Sequence, residues 1–128
     1  MFEYTGIFSS FSVDDLQKAR DFYHDTLGPD VSETPGMDKL LTLRAGKEKR
    51  ILIYAKPDHI PATFTILNFI VEDAEKTVDK LTAQGVHFER YDDRLKTDEK
   101  GIFRDNGPLI AWLKDPAGNI LSVLEDRQ

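Results

Sequence analysis

Asp115-Pro116-Ala117-Gly118-Asn119-Ile120-Leu121-Ser122-Val123-Leu124-Glu125 decides the fold, because it reads as a tight turn running straight into a strand. Proline fixes φ and biases the residue before it away from helix, so Asp115-Pro116 opens the turn. Gly118-Asn119 tolerates positive φ and closes it. Ahead of it, Pro108-Leu109-Ile110-Ala111-Trp112-Leu113-Lys114 also reads as a strand, so the two arms form a hairpin. Ser122 is a polar residue inside the otherwise apolar second arm.

Upstream, the same grammar occurs twice. Residues 6–13 mix Ile7, Phe8, Phe11 and Val13 with serines as a short strand, and Asp14-Asp15 offers a helix N-cap. Leu16, Ala19, Phe22, Tyr23 and Leu27 follow at helical spacing, and Gly28-Pro29 ends the run. Residues 30–39 are rich in turn formers, including Pro35-Gly36; residues 40–44 and 50–55 read as strands. Then the pattern restarts: residues 64–71 as a strand, Glu72-Asp73 as an N-cap, Ala74, Thr77, Val78 and Leu81 as a helical stripe, and Gly85 as its end. Residues 86–91 alternate like a strand, and residues 92–106 form a long polar loop before the closing hairpin. Phe11-Ser12-Val13-Asp14-Asp15 matches Phe69-Ile70-Val71-Glu72-Asp73, and both halves end in an apolar strand. The chain therefore reads as one domain, 1–128, built from pseudo-repeats at about 1–57 and 63–128.

Composition narrows the chemistry. There are no cysteines, which removes disulfides, thiolate nucleophiles and cysteine-ligated metals. A net charge of −6 argues against nucleic acid, which would ask for a clustered basic face; Lys47-Glu48-Lys49-Arg50 is short and reads as a solvated turn. No basic n-region precedes an apolar run, and no stretch is long enough to span a bilayer, so no membrane partner and a cytoplasmic location are expected.

Phe11-Ser12-Val13-Asp14-Asp15-Leu16 with Phe22-Tyr23 and Leu27-Gly28, then Phe69-Ile70-Val71-Glu72-Asp73 with Gly85-Val86, then Asp115-Pro116-Ala117-Gly118-Asn119 together resemble the vicinal oxygen chelate superfamily, the glyoxalase/bleomycin-resistance/dioxygenase fold. The resemblance covers nearly the whole chain. It implies an α+β fold of two tandem βαβββ modules forming a cupped, incomplete β-barrel with helices outside, and commonly a homodimer. It also implies, for the enzymes of the superfamily, a divalent metal held by His, Glu or Gln at four strand positions. Carried over, those positions fall at Phe8, Ile53, Ile66 and Ser122. Phe8 lies seven residues before Asp15, as Ile66 lies before Asp73, and Ser122 stands where the enzymes commonly carry glutamate. Phenylalanine and isoleucine have no donor atom and neutral serine is a poor one, so no metal and no cofactor are expected.

The remaining candidates are sparse. Trp112 takes a cleft-facing position in the resemblance, where it could stack on a flat or cationic ligand; as a large aromatic it fits a core equally well. Arg90 continues the parity of Val86 and Phe88 and could aim at an anionic group from the cleft mouth; a solvent-facing strand end is the plainer reading. Asn68 and Ser10 share parity with Ile66 and Phe8 and supply neutral polar groups. Tyr54 falls opposite Ile53 by parity, and Tyr91 is a further contributor. His24, His59 and His87 are scattered, with surface roles sufficient for each. Glu125 reads as solvated beside Asp126-Arg127, and the stretch 97–104 could cover the cleft or be a plain surface loop.

A mostly apolar cup of Phe8, Ile53, Ile66 and Trp112, with Ser10, Asn68, Arg90 and Ser122, suits metal-independent binding of a small organic molecule. The alternatives are a lyase, isomerase or dioxygenase-type enzyme with non-standard ligands, and a non-catalytic dimerising module. Whether the chain is an enzyme is left open by the occupants of its four metal positions.

Overall fold

Each half of the chain runs strand, helix and three strands in a computed structural model, which describes residues 1–34, 37–46, 49–92, 96–105 and 107–125. Two compact units result, Met1–Ile60 and Pro61–Gln128.

In the first unit, β1 (Ser9–Val13) leads to α1 (Leu16–Arg20), then β2 (Asp30–Thr34), β3 (Met37–Ala45) and β4 (Lys49–Ala55). Asp15 is the N-cap, its side chain accepting from the Lys18 N–H at 3.1 Å. The helical stripe does not stay α to its end. Asp21–Thr26 is a π-helical turn, with Leu27 N–H donating to Phe22 C=O and Gly28 N–H to Tyr23 C=O, both five residues back at 3.1 Å. The sheet has order β1-β4-β3-β2, with β1 parallel to β4 and the other pairs antiparallel. Val13, Val31, Leu41, Leu43 and Ile53 share one face and are buried with Ala19 and Tyr23 of the helical segment. Burying each such side chain contributes about 1.5–3 kcal/mol. Residues 30–34, read from sequence as part of a turn-rich stretch, are a strand. Their partner is β3, fixed by tertiary pairing that local composition does not report. Pro35-Gly36 and Lys47-Glu48 lie outside the described residues.

The second unit repeats the order: β5 (Thr65–Val71), α2 (Ala74–Ala83), β6 (Ile102–Phe103), β7 (Ile110–Lys114) and β8 (Ile120–Glu125), in the sheet order β5-β8-β7-β6. Asp73 caps α2 through the Lys76 N–H at 3.0 Å. Ala74, Val78 and Leu81 bury against the face bearing Ala111, Leu113, Leu121 and Val123. Both modules are thus βαβββ, the α+β class expected, and both sheets are open, with edge strands β1 and β2 in one and β5 and β6 in the other.

Three expectations for this half change. Residues 86–91 are not a strand: only Phe88 bridges, to Leu113, and the Glu89 N–H donates to Trp112 C=O at 2.8 Å. The polar stretch 92–106 contains β6, whose two residues pair with Ala111 and Ile110. Glu125 is half-buried rather than solvated, because its Oε1 accepts from the first N–H of α2, at Ala74, at 3.0 Å. Asp126-Arg127 lies outside the described residues.

The opening turn is built around a buried carboxylate. Asp115 Oδ1 accepts from the backbone N–H of Ala117 and of Asn119, each at 2.9 Å, and Oδ2 accepts from Asn119 Nδ2 at 3.1 Å. The Asp115 N–H donates in turn to Asn119 C=O at 2.9 Å. Gly118 has φ of 90°, and a Cβ there would meet the Pro61 ring at 3.2 Å, so glycine serves both the turn and the close approach.

Candidate functional site

Residues paired across a ladder lie on the same face of a sheet, and neighbours along a strand lie on opposite faces. In the second unit α2 covers the face of Leu121 and Val123. The opposite face carries the row Asn68–Ser122–Trp112, each residue the ladder partner of the next. The Ser122 hydroxyl, fully buried, donates to Asn68 Oδ1 at 2.5 Å. Trp112 is half-buried and gathers two more rings. Tyr91 meets it edge-on at 5.7 Å between centroids and 72°, and Phe103 lies tilted at 6.3 Å and 50°. Burial, and after it the charge of Glu89, push the Tyr91 phenol up against the smaller opposing effect of Lys114, so it stays a protonated hydroxyl near neutral pH. This row is a neutral, aromatic surface with a few hydrogen-bonding groups.

The structure therefore brings Asn68, Trp112 and Ser122 together. Ile66 sits at the β5 irregularity between Thr65 and Leu67, outside the register of its neighbours. In the first unit Ser10 is exposed on β1 opposite Leu52, on the face away from α1. Phe8 precedes β1, is 50% exposed, and lies under the Arg50 guanidinium, 4.7 Å from ring centroid to Cζ.

Two site residues change face. Ile53 is fully buried beside Phe11, its ladder partner, whose ring contacts Tyr23 at 5.8 Å; this is the helix-covered face. Leu52 and Tyr54 occupy the opposite one with Ser10 and Ser12. Because Ser10 pairs with Leu52 as Asn68 pairs with Ser122, Leu52 is the first-unit counterpart of Ser122. Arg90 likewise lies with α2. Phe88 bridges to buried Leu113 on that side, and Arg90 joins Val78, Asp79, Thr82, His87 and Lys100 around a small pocket there. Tyr91, not Arg90, is the residue that reaches Trp112.

A divalent ion at the four expected positions would need imidazole, carboxylate or amide donors. Phe8, Ile66 and Leu52, the corrected occupant, have none, and the Ser122 hydroxyl is committed to Asn68. The donor set does not fit such an ion, and among the described residues no three His, Asp or Glu side chains gather as a metal site requires. The histidines stand in different settings: His24 beside Asp25 at 2.7 Å, His59 Nδ1 against Ser12 Oγ at 2.6 Å, and His87 on the α2 pocket. Tyr91 was among the candidates read from sequence, whereas Leu52, Phe103 and the Ser12–His59 contact were missed. Ladder pairing alone places Leu52 and Phe103, and the last contact joins residues 47 apart.

A profile described as Glyoxalase/Bleomycin resistance protein/Dioxygenase superfamily matches residues 7–123. Among curated proteins none matches. Among solved structures, a glyoxalase family protein from Bacillus anthracis is similar with TM-score 0.71 and 19% identity, over 99% of this chain and 100% of that one. TnmS3, an antibiotic binding protein from Streptomyces sp. CB03234, is similar with TM-score 0.70 and 23% identity, over 98% and 100%. Lactoylglutathione lyase from Agrobacterium tumefaciens is similar with TM-score 0.63 and 20% identity, over 95% and 94%. At these identities the likeness carries the fold alone.

Proposed function

We propose, from the premise that this chain belongs to the glyoxalase/bleomycin resistance protein/dioxygenase superfamily, that it binds a small organic molecule without a divalent metal, as a homodimer. One observation carries the reading: the Asn68–Ser122–Trp112 row places a satisfied hydroxyl–amide pair beside an aromatic cluster where the superfamily's enzymes commonly carry a metal-binding glutamate. Such a surface suits a largely apolar ligand oriented by a few hydrogen bonds. TnmS3, an antibiotic binding protein of the same fold, is a precedent for binding as the whole activity. A lyase of that fold is a precedent for catalysis, but this row offers no carboxylate or imidazole to move a proton.

Trp112 is the sole tryptophan, so its emission reports the row directly. A panel of aromatic and aliphatic small molecules should yield a ligand that changes that emission saturably in metal-stripped protein. Trp112→Phe should weaken the same ligand about tenfold by calorimetry, on the order of 1.4 kcal/mol. Stoichiometric divalent metal in the purified protein, with binding lost on its removal, would overturn the metal-independent reading. Unchanged affinity in Trp112→Phe would reduce Trp112 to a core residue.

A further inference from the structure

Arg44 and Arg50 stand directly opposite each other in the antiparallel β3–β4 ladder. Like charges in that position destabilise a sheet unless an anion offsets them. The chain carries 23 acidic residues and a net charge of −6, so carboxylates are not scarce. Yet among the described residues neither arginine is in an ion pair or a hydrogen bond through its side chain. Asp30 is the ladder partner on the other side of Arg44, and no ion pair joins them. Both arginines are exposed.

Arg50 is also held in place. Its Cζ lies 4.7 Å from the centroid of the Phe8 ring. Stacking engages the flat face of a guanidinium and leaves the N–H fork in its plane free, the geometry that takes an oxyanion by two parallel hydrogen bonds. One row along the same face, Ser10 pairs with Leu52 and contributes an exposed hydroxyl. Two guanidinium groups, a hydroxyl and an aromatic ring thus lie toward one end of one sheet face, and among the described residues no carboxylate is paired with either guanidinium.

We propose that Arg44, Arg50 and Ser10, with Phe8 as the positioning ring, form a subsite for the carboxylate or phosphoryl oxyanion of a small molecule. The subsite lies wholly in the first unit, and its test does not depend on Trp112 or on the ligand of the second unit. Inorganic phosphate and acetate are the probes, titrated separately into the full chain by calorimetry, with ionic strength held constant by sodium chloride. At least one should bind saturably at one per chain, and the tighter of the two identifies the oxyanion. Arg44→Gln and Arg50→Gln should each weaken it about tenfold, and Arg50→Lys, which keeps charge but loses the fork, should not restore it. Phe8→Leu should weaken it less than either arginine change. Lys80→Gln on α2 removes one positive charge elsewhere and should leave binding unchanged. Absence of saturation with both anions, or equal weakening by Lys80→Gln, overturns the subsite and leaves the reading of the Trp112 row untouched.

Discussion

Asp115 shows how one residue can hold the hairpin that places Ser122. Its carboxylate is buried and accepts two backbone N–H bonds and one side-chain amide. Asp115→Ala would leave those donors without their acceptor, and each such loss costs about 1–3 kcal/mol. The expected outcome in urea unfolding is a loss on the order of 3 kcal/mol with the m-value unchanged; a loss below about 1 kcal/mol would mean that water replaces the carboxylate. Residues acting on their own neighbours were legible in sequence: Asp115, and the caps Asp15 and Asp73. Among residues whose role depends on which face they occupy, Asn68, Ser122 and Trp112 were legible and others were not. Ile53 and Leu52 differ by one position, and so do Arg90 and Tyr91. The choice within each pair is made by a partner strand, through Phe11↔Ile53 in one case and Phe88↔Leu113 in the other.

At the scale of elements, the stretch 97–104 is tied to α2 rather than left free. Asp98 Oδ1 accepts from the N–H of Lys100 and Ile102 at 2.9 Å, and its Oδ2 from Arg104 Nε at 2.8 Å. Arg104 also pairs with Glu75 of α2, and Lys100 with Asp79 at 3.1 Å. Gly101, with φ of 88°, lets the chain pass where a Cβ would come within 2.9 Å of Phe88 Cβ. Burial pushes the Asp98 carboxyl up, but the Arg104 hydrogen bond, the two backbone N–H groups and the Arg104 charge outweigh it and hold the group below 3.8. A carboxylate depressed in the folded state stabilises above its ordinary value, and that stabilisation is lost as pH falls through the depressed one. Asp98→Asn is therefore expected to cost about 1 kcal/mol at pH 7, discounted for partial exposure. The gap to wild type should close below pH 3.8, as read by thermal melts across pH; a constant gap at all pH values would exclude the ionised carboxylate as its source. The strand inside this stretch was hidden because its two residues are too few to show a period against the polar residues around them.

At the scale of the molecule, duplication sets the plan and divergence sets the chemistry. Two βαβββ units of the same sheet order carry different rows, Ser10–Leu52–Thr42 in one and Asn68–Ser122–Trp112 in the other. The fold was legible because both copies repeat the strand, the aspartate cap and the helix. The open face was less so, because its occupants obey no repeat. One feature of the first unit bears on assembly. Met1, Phe2, Tyr4 and Ile7 are 125%, 77%, 68% and 93% exposed, and the Phe2 and Tyr4 rings touch each other at 5.3 Å. Large apolar side chains held exposed near one another favour association, since each one buried contributes about 1.5–3 kcal/mol. If the homodimer proposed above covers this arm, sedimentation equilibrium should give twice the 14.6 kDa chain mass at micromolar concentration. Phe2→Ser with Tyr4→Ser should then raise the dissociation constant by about a hundredfold, while melting of the isolated chain stays unchanged, because neither ring supports the buried core. A wild-type chain that stays at 14.6 kDa across the concentration range would remove the dimer, and a dimer indifferent to the double substitution would place its interface on another face.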